Sequence, residues 1–164
     1  MKKLLPFAML AFFSLFLLSC ETDDSRDNGQ DYDTYPVMKD VTGSFSASNE
    51  YTLQQSIQIP QSDVVLVYRN TAASGSAVWQ LIPKTEYLSA DRELDYNFLF
   101  STDAVEIYTE ANFDQSTMST DERTRYLNSQ RFRIVLVPAS VAASTDTSSY
   151  NSVLRAMEVQ APKP

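Results

Sequence analysis

From Val41 onward, apolar and polar residues alternate in short runs, the period of strands that bury one face. Tyr51, Leu53, Ile57 and Ile59 alternate with polar residues up to Pro60, and Leu94, Tyr96, Phe98 and Phe100 repeat the pattern further on. Residues 64–68 are continuously apolar instead, which predicts a central strand covered on both faces. Residues 77–82, 105–108 and 132–137, with the segment around Phe45, bring the expected number to about seven strands. Clusters of turn-forming residues at 60–63, 73–76 and 101–103 separate them. Two segments break the period. Ser119 and Glu122 have the spacing of a capping box ahead of a short helical turn through Tyr126. Tyr150, Val153, Leu154 and Met157 recur at helical spacing behind Ser148 or Ser149. The pattern predicts an all-β fold, an antiparallel β-sandwich of immunoglobulin-like or jelly-roll-like type with one or two short helices. An incomplete barrel is the alternative.

The first residues follow a different logic. Lys2 and Lys3 precede an apolar run over residues 4–18 that closes in Leu17-Leu18-Ser19-Cys20. The run falls short of the roughly 20 residues a spanning helix needs, contains Pro6, and meets the acidic Glu21-Thr22-Asp23-Asp24 rather than a basic flank. Residues 1–19 therefore read as a secretory signal peptide. The small Ser19 ahead of the chain's only cysteine has the form of a lipoprotein cleavage site. Cys20 is expected to take a diacylglyceryl group, and its freed amine a further acyl chain such as palmitate. At about 0.8 kcal/mol per buried methylene, two or three such chains anchor a protein for its lifetime. Residues 20–37 then form an acidic flexible tether, with Glu21, Asp23, Asp24, Asp27, Asp31 and Asp33 set against Arg26. Residues 38–162 hold the β-domain. The tether's run from Asp24 to Gly29 is no calcium loop, because Arg26 stands at a ligand position and Tyr35 where a bidentate Glu belongs.

Composition removes several functions. The formal charge is −8, and losing Lys2 and Lys3 takes it to −10, so nucleic acid is not an expected partner. With no histidine there is no Ser-His-Asp or Cys-His system and little basis for a zinc site. A lipidated Cys20 leaves the folded part without a thiol. After the signal, the lysines are Lys39, Lys84 and Lys163, and Lys84 at a strand end is most simply a solvated turn residue. Asp95, Glu106 and Glu110 alternate with apolar neighbours and suit a solvated strand face better than the two walls of a glycosidase cleft. The chain is thus expected to lack catalytic residues, metal and cofactor, and to be no enzyme.

Binding has more support. Trp79 and seven tyrosines beyond the tether supply surfaces on which sugar rings stack. Trp79 shares a strand face with Ala77 and Leu81, however, and periodicity predicts a buried core indole. Arg123, Arg125, Arg131 and Arg133 form a cationic segment in an acidic molecule. Arg131 and Arg133 should lie on the outer face of their strand, opposite Phe132, Ile134 and Leu136. There they would receive an acidic peptide, glycan or lipid headgroup, or else pair with Glu106, Glu110 or Asp121 in the same sheet.

Four segments carry a resemblance: Asp63-Val64-Val65-Leu66-Val67-Tyr68-Arg69, Trp79-Gln80-Leu81-Ile82-Pro83, Leu94-Asp95-Tyr96-Asn97-Phe98 and Phe132-Arg133-Ile134-Val135-Leu136-Val137-Pro138-Ala139. Together they resemble a family of uncharacterised lipoproteins of Bacteroidetes, notably flavobacteria, over residues 63–160. Many members of that family carry a collagen-like Gly-Pro-rich tether. This chain departs there, with Gly29 alone and no Gly-X-Y repeat. Some relatives bear a dihydrolipoamide dehydrogenase label, but one cysteine and three glycines, none in a G-x-G-x-x-G arrangement, exclude that chemistry here. The resemblance implies an outer-membrane lipoprotein displayed at the cell surface. It supplies no catalytic residues. The expected function is a non-enzymatic binding or structural surface domain, with a glycan-binding accessory lipoprotein of polysaccharide uptake as the alternative.

Overall fold

A computed structural model describes residues 37–59 and 63–160. The predicted signal peptide, Cys20, the tether up to residue 36 and most of the turn at 60–63 lie outside the described residues. Eight strands follow in order: β1 (Val37–Gly43), β2 (Thr52–Ser56), β3 (Val64–Asn70), β4 (Trp79–Leu81), β5 (Lys84–Tyr87), β6 (Glu93–Phe100), β7 (Ala104–Ala111) and β8 (Gln130–Val137). They make two four-stranded sheets, β1-β8-β3-β4 and β2-β7-β6-β5, with antiparallel pairing throughout. The expected antiparallel sandwich is the observed fold. β1 and β2 lie in different sheets and pair with the last strand and the last but one. That nesting is jelly-roll-like; an immunoglobulin domain keeps its first two strands in one sheet.

Alternation decides which face each residue takes. Val65, Val67, Phe132, Ile134 and Leu136 of the first sheet meet Leu94, Tyr96, Val105 and Ile107 of the second in one buried core. Phe45 closes this core from one end, edge-on to Phe132 at 5.8 Å and to Tyr96 at 6.1 Å. Its segment is a bend after β1 rather than the expected strand, held by its N–H donating to the Leu127 carbonyl at 2.9 Å. β1 and β5 are strands that the alternation did not predict.

The first sheet is also covered behind. Leu66, Tyr68, Val135 and Val137 pack under Val141 of α2 (Ala139–Ala142 within the chain's helices) and under Val153 and Tyr150 of the later helix Tyr150–Gln160. This explains the uninterrupted apolar run of β3, five of whose seven residues are buried. Among the described residues the second sheet has no such cover: Asp95 stands beside Glu110 and Gln54 beside Glu106 on its outer face. Ahead of both helices, Ser119 and Glu122 form the expected capping box at α1 (Thr120–Glu122), with reciprocal hydrogen bonds of 2.8 and 3.2 Å. α1 runs straight into a π-helical turn, Arg123–Leu127, closed by Asn128 N–H donating to the Arg123 carbonyl at 2.7 Å. In chain order the helix Tyr150–Gln160 is α3.

Candidate functional site

The two ends of the sandwich differ. At one end β1 starts at Val37, and the apolar residues Val37, Val64, Leu99 and Phe100 are exposed there. At the other end, between the ends of β3, β4 and β5 and the π-helical turn, lies a cleft of ≈ 850 Å³. Its lining mixes polar and apolar surface and includes Arg69, Gln80, Glu86, Arg125, Asn128 and Arg131.

Arg69 forms the floor. It follows Val65 and Val67 on the inner face of β3, so the strand carries its guanidinium into the space between the sheets, where it is 6% exposed. Burial of a cation demands partners. Its Nε donates to Gln130 Oε1 at 2.9 Å and its Nη1 to Glu86 Oε1 at 2.9 Å, an ion pair across the two sheets. The guanidinium also lies 4.1 Å from the centre of the Tyr96 ring. Gln130 is fixed in turn, its amide donating to the carbonyls of Arg125 and Asn128. Tyr96 donates its hydroxyl to the Tyr126 carbonyl at 2.5 Å. Burial raises the Tyr96 phenol well above its ordinary value, against the opposing pull of the Arg69 charge. The floor is therefore a closed hydrogen-bonded set that locks the π-helical turn onto the end of the sandwich.

The rim differs from the floor. Arg125 projects from the π-helical turn, exposed, with its guanidinium 5.2 Å from the Tyr126 ring centre. It makes no ion pair among the described residues. Rare π-helical turns often occur at functional sites. Arg131 stands on the outer face of β8 and pairs with Asp40 at 3.0 Å. Arg133 grips the same carboxylate at 2.6 and 2.9 Å and also donates to the Tyr150 hydroxyl. These bonds from Arg133, more than those from Arg131, hold the Asp40 carboxyl below the usual carboxylate range against partial burial. Arg123 turns away and donates to the Met118 carbonyl.

The four arginines of the sequence pattern thus do not form one row. Arg131 and Arg133 occupy the predicted outer face, but they pair with Asp40 of β1, not with Glu106, Glu110 or Asp121. Glu106 and Glu110 belong to the other sheet. Trp79 is half-buried rather than a core indole. It lies on the outer face of β4 under the guanidinium groups of Arg133 and Arg131, at 4.3 and 5.3 Å, and beside Tyr150. Arg69 and Gln130 were not singled out by the sequence; the signal was a charged residue on the inward phase of an apolar strand. Among the described residues, no group of three His, Cys, Asp or Glu side chains is placed to hold a metal ion. The chain matches no family model, no curated protein and no solved structure.

Proposed function

We propose that this chain is a lipid-anchored envelope protein whose β-sandwich is a non-enzymatic binding domain, using the cleft at the end of the sandwich opposite Val37. One observation carries the reading: a cleft of ≈ 850 Å³ with an immobilised polar floor and, on its rim, the guanidinium of Arg125, which makes no ion pair among the described residues. A rigid floor below such a cation is an arrangement ready for a ligand, because little side-chain freedom is lost on binding. Val37, the first described residue, lies at the end of the sandwich away from the cleft. The lining favours a polar ligand and a glycan among such ligands, since its amides both donate and accept hydrogen bonds.

The test is an array of neutral, carboxylated and sulfated glycans and acidic peptides, probed with the mature chain carrying Cys20→Ala. The expected result is retention on one class that falls in an Arg125→Gln variant. Silence on every class from a chain that still unfolds cooperatively would overturn the binding function. The anchor is tested separately, by incorporation of labelled palmitate into the wild-type chain and its loss in Cys20→Ala.

A further inference from the structure

The polar groups of the cleft fall into two sets, those consumed by the fold and those left over. Arg69, Gln130 and Glu86 are consumed in holding the floor. Asn70 is consumed too, its side-chain oxygen accepting from the N–H groups of Ala72 and Val78. What remains free among the described residues is the Arg125 guanidinium, the side-chain amides of Gln80 and Asn128, and the outward part of Arg131, whose side chain is 46% exposed beyond its contact with Asp40. The leftover set combines the Arg125 guanidinium and the N–H groups of Arg131 that Asp40 does not take with two amides. Guanidinium forks match planar carboxylates in bidentate geometry, and amides match hydroxyls as donor and acceptor at once.

Charge narrows the ligand further. Glu86 and Asp121 stand in the same lining, and the whole chain carries −8. A densely anionic ligand such as a sulfated chain, a phosphate cluster or a run of acidic residues meets repulsion both from these carboxylates and from the field of the molecule. A ligand with one carboxylate per hydroxyl-rich ring meets less, because Asp121 can accept from its hydroxyls while the arginines take its charge.

Resting on the binding function proposed above, we infer that the cleft takes a carboxylated saccharide of the uronic-acid class, with sugar carboxylate on Arg125 and Arg131 and ring hydroxyls on Gln80 and Asn128. The experiment is titration calorimetry of the mature Cys20→Ala chain with oligogalacturonate, with the methyl ester of the same oligosaccharide, with a sulfated oligosaccharide and with an oligo-aspartate peptide. The ester keeps every ring and removes only the charge. The free acid is expected to bind about tenfold or more tightly than the ester, the scale of a lost charge-assisted hydrogen bond. Arg125→Gln is expected to weaken the free acid by a similar factor and the ester by much less. Equal affinity for acid and ester would overturn the carboxylate assignment while leaving a glycan-binding cleft. Preference for the sulfated chain or the peptide would overturn the uronic-acid class. No binding of any probe would overturn it as well, and only silence across the wider array would take the binding function with it.

Discussion

The two sheets of this sandwich are made alike and used differently. The sheet β1-β8-β3-β4 is buried on both faces, by the core in front and by α2 and α3 behind, whereas β2-β7-β6-β5 turns its outer face to solvent. On the solvated sheet a carboxylate such as Glu106 asks for no explanation, since water serves it. On the covered sheet the arginines are partnered: Arg69 with Glu86, Arg131 and Arg133 with Asp40. A charge is therefore informative only against the background its sheet provides. Arg125 stands out because it sits beside the covered sheet's partnered arginines and has no ion pair of its own among the described residues.

The largest effect should come from the shared core. Phe132→Ala removes a fully buried ring from the covered sheet and is expected to cost about 3–5 kcal/mol in denaturant unfolding. Leu99→Ser, on the outer face of the other sheet and 51% exposed, should stay within about 0.5 kcal/mol. A cost for Leu99→Ser approaching that of Phe132→Ala would mean that the second sheet is also covered in solution. Val135→Ala tests the back of the first sheet. Val135 is 0% exposed beneath the helices. Its truncation should cost about 1.5–2 kcal/mol by area alone, and a neutral result would show that α3 does not dock there.

Much of this contrast was legible in the sequence. Clean alternation gave β6, the continuous run gave the doubly covered β3, and the Ser119–Glu122 spacing gave the capping box. β1 was not legible, because Lys39 interrupts its inward phase between Val37 and Val41, and the segment merges into the acidic residues ahead of it. β5 escaped because its four residues, Lys84 to Tyr87, form a mainly polar edge strand. The site was legible in part. Alternation placed Arg131 and Arg133 on the outer face, yet their partner Asp40 lies 91 and 93 residues away, a distance only strand order can bridge. Arg69 was hidden for the same reason: nothing local says that Glu86 and Gln130 will meet it.

Titration probes the outer face of the covered sheet from both ends of the pH scale. Asp40 has a lowered carboxyl pKa, so its contribution is present above the ordinary carboxylate range and lost as pH falls through its folded value. Asp40→Asn should lower stability at neutral pH and flatten the acid limb of a pH–stability profile. Tyr68 lies under α3, and burial, with the Tyr150 and Asp146 charges, raises its phenol to about 12. Its folded value exceeds its unfolded value of about 10, so the stabilisation is intact below that pH and lost as pH rises through about 12. Tyr68→Phe should shift the alkaline unfolding of the chain upward. An unchanged alkaline limb would mean that the phenol is more solvated than its packing against Tyr150 implies.

The smallest expected effects compare backbone at the margins of the two sheets. The β5–β6 turn holds Ala90 at φ 60° and Asp91 at φ 53°, and Ser129, leading into β8, lies at φ 50°. All three occupy the left-handed region, where a Cβ costs about 1–2 kcal/mol and glycine relieves it at an entropic cost of about 0.5–1 kcal/mol. Ala90 is exposed in a hairpin turn of the type that prefers Asn or Gly. Ala90→Gly should therefore gain about 0.5 kcal/mol. Ser129 is tied on both sides, its N–H donating to Ser44 Oγ at 2.9 Å and the adjacent Gln130 anchored to Arg69. That closed set already imposes the conformation, so Ser129→Gly should gain no more than Ala90→Gly in denaturant unfolding and should leave ligand retention by the cleft unchanged. Loss of retention in Ser129→Gly at unchanged stability would show that the serine hydroxyl, which is part of the cleft lining, contacts the ligand directly.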